Sequence, residues 1–147
     1  MSIEQNKATA RRWFLEIIAK GQPAVADEIF AANHVINDPH APPGGWPKGP
    51  EGLKMVAGTF GGGFPDMKVT IEDQIAEGDR VATRWSARGT NSGPLPGMPP
   101  SGKPVSVTGC NVARFSDGKI VESWFNFDML TLFQQIGVIP TPGHDHA

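Results

Sequence analysis

Apolar residues follow a helical period in the first part of the chain. Between Ile3 and Lys20, the positions Ala10, Trp13, Phe14, Ile17 and Ile18 fall on one face, and Gly21 ends the run. The spacing predicts an amphipathic helix. "QPAVADEIFAA" predicts a second, short helix with Pro23 in its first turn, where a missing N–H costs least. "NHVINDPHAPPGGWPKGP" is too rich in proline and glycine for regular structure and reads as a surface or mouth segment. "PEGLKMVAGTFGGGF" begins as a helix and decays into glycine.

The period then changes to two. "MKVTIEDQIAEGDRVATRWSARGT" predicts two strands joined at "EGDR", and "VSVTGCNVARF" with "KIVESWFNFD" predicts a second hairpin around Asp117-Gly118, a dipeptide favoured in tight turns. Between them, "NSGPLPGMPPSGKP" is a loop. "LTLFQQIG" predicts one or two closing helical turns. Helices first and strands afterwards imply one α+β domain over residues 1–139, with helices laid on an antiparallel sheet, and residues 140–147 as a frayed tail.

With Asp117 and Gly118 at the turn, simple register pairs Arg114 with Val121, Asn111 with Trp124, Gly109 with Asn126 and Val107 with Asp128. Alternation then gathers Ile120, Glu122, Trp124, Asn126 and Asp128 on the face of Val107, Gly109, Asn111, Ala113 and Phe115. Such a mixture of apolar groups, amides and an acid suits a pocket better than a core, because each buried polar group needs a partner. Val112, Val121, Phe125 and Phe127 fall on the opposite face, which predicts cover there too, such as a second subunit. Asp128, at a strand end, caps a following helix more often than it catalyses. With Trp124 on its face, however, its charged form would be disfavoured and its pKa raised.

Composition narrows the choices. A chain of 147 residues, 39% hydrophobic, holds one core. Thirteen basic and fifteen acidic residues, net −2, leave no footprint for nucleic acid or an anionic membrane. The lone Cys110 excludes an internal disulfide and any multi-cysteine metal cluster, and fits a reducing compartment such as the cytoplasm. No apolar run reaches the roughly 18 residues of a membrane span, and the charged N-terminus does not read as a secretory signal.

The segment Arg84 to Gly137, with R-W-x-x-x-G-T, S-G-K, D-G-K-I-V-E-x-W-x-x-x-D and L-x-Q-Q-I-G in order, resembles the SnoaL-like polyketide cyclase (ester cyclase) family of the nuclear-transport-factor-two-like superfamily. "INDPHAP" and the helical first half fit it more loosely. The resemblance implies a conical α+β fold, a strongly curved antiparallel sheet around a pocket closed by N-terminal helices, dimerising through the sheet. It also implies intramolecular aldol ring closure of a polyketide-like ester without cofactor or metal, with Asp128 as general acid/base. Some cyclases of the family support that acid with a histidine on the adjoining strand. The strand Val105 to Phe115 has none and offers Cys110 and Asn111.

Other candidate site residues are Asn37 as a pocket amide, His40 as a titratable neighbour, and Phe64 as part of an apolar wall. Asn111 could hold a carbonyl, and Arg84, Trp124 and Asn126 complete the set. Each has a plainer reading: Asx-Pro turns for Asn37, a solvent-exposed loop for His40, an ordinary core for Phe64, and an ion pair with Asp73 for Arg84. "GTFGGGF" lacks the Lys-Ser/Thr of a phosphate loop, and "GHDH" in the tail could bind only adventitious metal. The absence of tyrosine weighs against a ketosteroid-isomerase-like site. "EGDR", in a turn, is a poor match to the Asp-Arg-Asp set of a limonene-epoxide-hydrolase-like site, which stays only a remote option. The two leading functions are a cyclase, or a non-catalytic cup that carries a hydrophobic or aromatic small molecule.

Overall fold

Helix α1 (Ile3–Arg12) starts where the side chain of Ser2 accepts from the Gln5 N–H and the Gln5 side chain accepts from the Ser2 N–H, a reciprocal capping box. In the structure, a computed structural model that describes residues 2–140, the helix continues as a widened π turn (Trp13–Ile18). That turn buries Trp13, Phe14 and Ile17 together. A 3₁₀ turn (Pro23–Val25) runs into a short α2 (Ala26–Ile29). The expected second helix ends there: Phe30–Asn37 is strand β1. Its sequence, Ala-Ala-Asn-His in the middle, has little intrinsic strand preference, and only pairing with a distant strand fixes it.

Helix α3 (Pro50–Gly63) persists through Gly58, Gly61 and Gly62, past the point where the glycines predicted its decay. Its far end is held by Asn91, which is 1% exposed and donates to Gly63 O and Gly93 O while accepting from the Ser101 N–H. One amide thus anchors both the helix end and the long loop 91–103. Strands β2 (Lys68–Glu77), β3 (Arg80–Thr90), β4 (Pro104–Ser116) and β5 (Lys119–Phe127) follow, and α4 (Met129–Gln135) closes the described chain.

The fold is α+β, as expected, and the sheet has five strands in the order β1-β5-β4-β3-β2. It is mixed and not closed: β1 runs parallel to β5, whereas the other neighbours are antiparallel. Both predicted hairpins form, with Arg84 opposite Asp73 as read from the sequence. Asp117 and Gly118 both take positive φ, 52° and 79°, the geometry that lets a two-residue turn follow strand twist. No helix among the described residues is long and apolar enough to cross a membrane.

The last hairpin departs from simple register. Phe115 pairs with Ile120, but Arg114 pairs with Glu122, so Val121 is one residue extra on β5. Beyond that bulge Ala113 meets Ser123, Asn111 meets Phe125 and Gly109 meets Phe127. A one-residue shift reverses every later side chain. Ile120 faces inward as expected, but beyond the bulge the inner face carries Ser123, Phe125 and Phe127, and the outer face Glu122, Trp124 and Asn126, the reverse of the expected assignment. The expected inner set on β4 stands.

The bulge also places Ser123 under β1, where its Oγ lies 2.8 Å from Nε2 of His34. His34 is 0% exposed, and its Nδ1 has no partner among the described residues. A bare ring nitrogen tolerates burial better than an orphaned N–H, so we assign the proton to Nε2, which donates to Ser123. Burial pushes His34 from 6.5 down to about 4, and the Glu122 charge opposes this only in part. Its neutral form stabilises the fold fully above pH 6.5. As pH falls from there toward 4 the unfolded chain binds the proton first, and stability declines by on the order of 3 kcal/mol. Urea unfolding at several pH values in this window should show that slope, and His34→Gln should flatten it.

Candidate functional site

The inner sheet face and the helices border a cavity of about 90 Å³ that opens to solvent at its mouth. The widened turn contributes Trp13, Phe14 and Ile18; α3 contributes Val56 and Phe60, with Phe64 just beyond its end. The sheet supplies Trp85, Val105, Val107, Asn111, Phe125 and Phe127, and Leu132 of α4 closes one side. Among the described lining residues only Asp38, Arg88 and Asn111 bear a charged or amide side chain. Phe60 and Phe127 meet edge to face at 5.4 Å, so the walls are rings in fixed orientation.

Asn111 is the polar fixture of the wall. Its Oδ1 accepts from Trp85 Nε1–H at 3.1 Å, which leaves its NH₂ group as a donor. Trp85 reaches it because its opposite neighbour on β4 is Gly109. A Cβ there would clash with the indole ring and lie 2.8 Å from Asn126 O. One absent methyl group lets an indole lie on the sheet and orient the amide.

Of the site residues expected from sequence, Phe64 (2% exposed) and Asn111 line the cavity. His40 is exposed, yet its ring packs edge-on to cavity-lining Phe127 at 5.6 Å, at the mouth. Asn37 does not line the cavity: its Nδ2 donates to Glu122 Oε2 and Ser123 O and fastens β1 to β5. Arg84 grips Asp73 on the exposed outer face, which raises the pKa of the guanidinium. Trp124 and Asn126 are turned outward by the bulge, and the Arg80 guanidinium lies 5.1 Å from the Trp124 ring.

Asp128 is exposed, and it does not line this cavity. It caps α4: Oδ1 accepts from the Thr131 N–H at 3.0 Å and Oδ2 from the Thr131 hydroxyl at 2.6 Å. Those two donors hold its carboxyl below the ordinary value of 3.8, the opposite of the expected rise. The enclosure against Trp124 on which that rise depended is missing, because Trp124 faces outward.

The sequence reading overlooked Asp38, Trp85, Phe125 and Phe127, and the pair His34–Ser123. The spacing of Asn37-Asp38 held a usable signal: adjacent residues at a strand end point to opposite sides, so only one of them can face the cavity. Among the described residues, no cluster of three or more His, Cys, Asp or Glu could hold a metal ion.

The structure of IdmH from Streptomyces antibioticus, described as a candidate polyketide cyclase, is similar with TM-score 0.76 and 37% identity over 91% of this chain and 99% of that one. A SnoaL-like polyketide cyclase candidate from Jannaschia sp. CCS1 superposes with TM-score 0.83 at 26% identity, covering 95% and 98% of the two chains. A polyketide cyclase candidate from Bacillus cereus gives TM-score 0.76 at 30% identity over 95% and 87%. No curated protein matches the chain. The sequence matches the family described as SnoaL-like polyketide cyclase over residues 8–136. The chain belongs to the SnoaL-like polyketide cyclase family.

Proposed function

We propose that the protein is a cyclase that folds a hydrophobic, polyketide-like ester into its cavity and closes a ring by an intramolecular aldol-type reaction. The observation that carries this reading is the cavity wall: aromatic and aliphatic on nearly every side, with one oriented amide. Apolar walls press a flexible chain into a compact shape, which brings its reacting carbons together. The Asn111 NH₂ is a donor for a carbonyl or enolate oxygen. A carbon between a ketone and an ester is acidic enough for a carboxylate to deprotonate, so the chemistry calls for no cofactor. Family membership and the related cyclase candidates support the same class of reaction.

The reading as a carrier draws support from a single observation, the exposed, capped state of Asp128. The two readings separate on a β-keto ester with a neighbouring aldehyde. A cyclase returns an isomer of unchanged mass and altered chromatographic retention, and a carrier returns the compound as supplied.

A homodimer through the outer sheet face is part of the proposal. Ile75, Ala82, Val112 and Trp124 stand in one register across β2, β3, β4 and β5, and Ile75 is 71% exposed. A continuous apolar row on an open sheet face suits burial against its own copy.

Two measurements check these points. Methyl benzoylacetate, an aromatic β-keto ester, should raise the melting temperature of the protein. Asn111→Leu should weaken its binding about 3- to 10-fold, the worth of one hydrogen bond, with Gly109→Ala acting the same way by displacing Trp85. Ile75→Glu with Trp124→Glu should convert a dimer to a species near 15.7 kDa by light scattering.

A further inference from the structure

We propose that Asp38 is the acid/base residue of this cavity, a catalytic role that rests on the reading of the cavity as a site for β-keto-ester-like guests. Among the described residues it is the one carboxylate in the cavity wall. Its place follows from the strand before it. Asn37 is pinned outward by its bonds to Glu122 and Ser123, so the next residue turns inward as β1 ends.

Its surroundings hold it in place and leave it capacity. Oδ2 accepts from Trp46 Nε1–H at 2.9 Å and Oδ1 from the His40 backbone N–H at 2.9 Å. A carboxylate offers about four lone-pair sites, so two accepted bonds leave room for a substrate proton. Both donors belong to the proline- and glycine-rich segment after β1, and His40 also packs on Phe127 of the wall. The segment at the mouth thus orients the carboxylate, and Asn111 supplies an N–H donor within the same cavity.

The step balances without a further reactant. Asp38 takes the proton from the carbon between ketone and ester, becoming a carboxylic acid, and the C–H electron pair passes into an enolate whose oxygen Asn111 holds. The enolate carbon attacks the second carbonyl carbon, and the new C–C bond forms as the C=O π pair moves onto oxygen. That alkoxide takes the proton back from Asp38. The product is an isomer of the substrate, and the carboxylate is restored.

The test follows α-hydrogen exchange of methyl benzoylacetate in D₂O at mildly acidic pH by proton NMR, with binding read separately by thermal stabilisation. Wild type should accelerate exchange. Asp38→Asn should bind the ester within twofold of wild type and lose about 100-fold or more in exchange rate. Asp38→Glu should recover part of it, and Asp128→Asn should keep it. If Asp38→Asn does not fold, a reduced rate in a folded Asp38→Glu carries the test. Wild-type exchange in folded Asp38 variants, or loss of exchange in Asp128→Asn alone, overturns the proposal. So does a wild-type protein that binds the ester without accelerating exchange. Failure of wild type to bind it overturns the cavity reading itself, and this assignment with it.

Discussion

Between the pairs Phe115–Ile120 and Arg114–Glu122, strand β5 carries one residue that β4 does not match, and the face of the sheet toward the helices is set there. Before the bulge Phe115 and Ile120 enter the core. After it Ser123, Phe125 and Phe127 do, whereas an unbroken ladder would send in Glu122, Trp124 and Asn126. An uncompensated carboxylate and an amide would then meet Trp13 and Phe30, at a desolvation cost that an apolar surrounding cannot offset. With the bulge, Phe125 stacks on Trp13 at 5.6 Å and Glu122 meets Arg114 at 3.1 Å on the other side. The apolar cavity depends on this shift.

The same shift binds the first half of the chain to the last. Ser123 comes to lie beside His34, and Ser123 O and Glu122 receive the Asn37 amide, so β1 docks in parallel on β5 through side chains as well as backbone. A short parallel strand with few apolar residues gains its stability from these contacts. They also fix the direction in which the chain leaves β1, and hence the inward turn of Asp38. Packing at the bulge and polarity at the mouth are therefore linked through Glu122 and Ser123 of β5.

The wall itself divides its labour between shape and orientation. Aromatic rings from the widened turn, α3 and β5 give shape, and the Trp85–Asn111 hydrogen bond gives orientation, made possible by the missing side chain at Gly109. Asp128 serves stability: with both oxygens occupied by Thr131, it begins α4, whose Leu132 seals the wall. Two carboxylates that follow strand ends thus sit in different settings, one capping a helix in water and one lining the cavity.

Local patterning determined the N-terminal helix, the two hairpins with their turn residues, the Arg84–Asp73 pairing and, through its C-terminal motifs, the family. Each of these depends on residues near one another in sequence: periodicity, turn dihedral preference, and pairing counted from a two-residue turn. Strand β1 was hidden because its partner lies far along the chain, 85 residues away at the Asn37–Glu122 bond. The inner face of β5 was hidden because a bulge forms only when burial makes the unbroken register unfavourable, and that balance involves Trp13 and Phe30 from the opposite end of the chain. Asn111, on the strand without a bulge, was legible as a wall residue; Asp38 was not. Alternation along a strand is a local rule, but its phase is set by what the strand is packed against, and only the tertiary structure decides that.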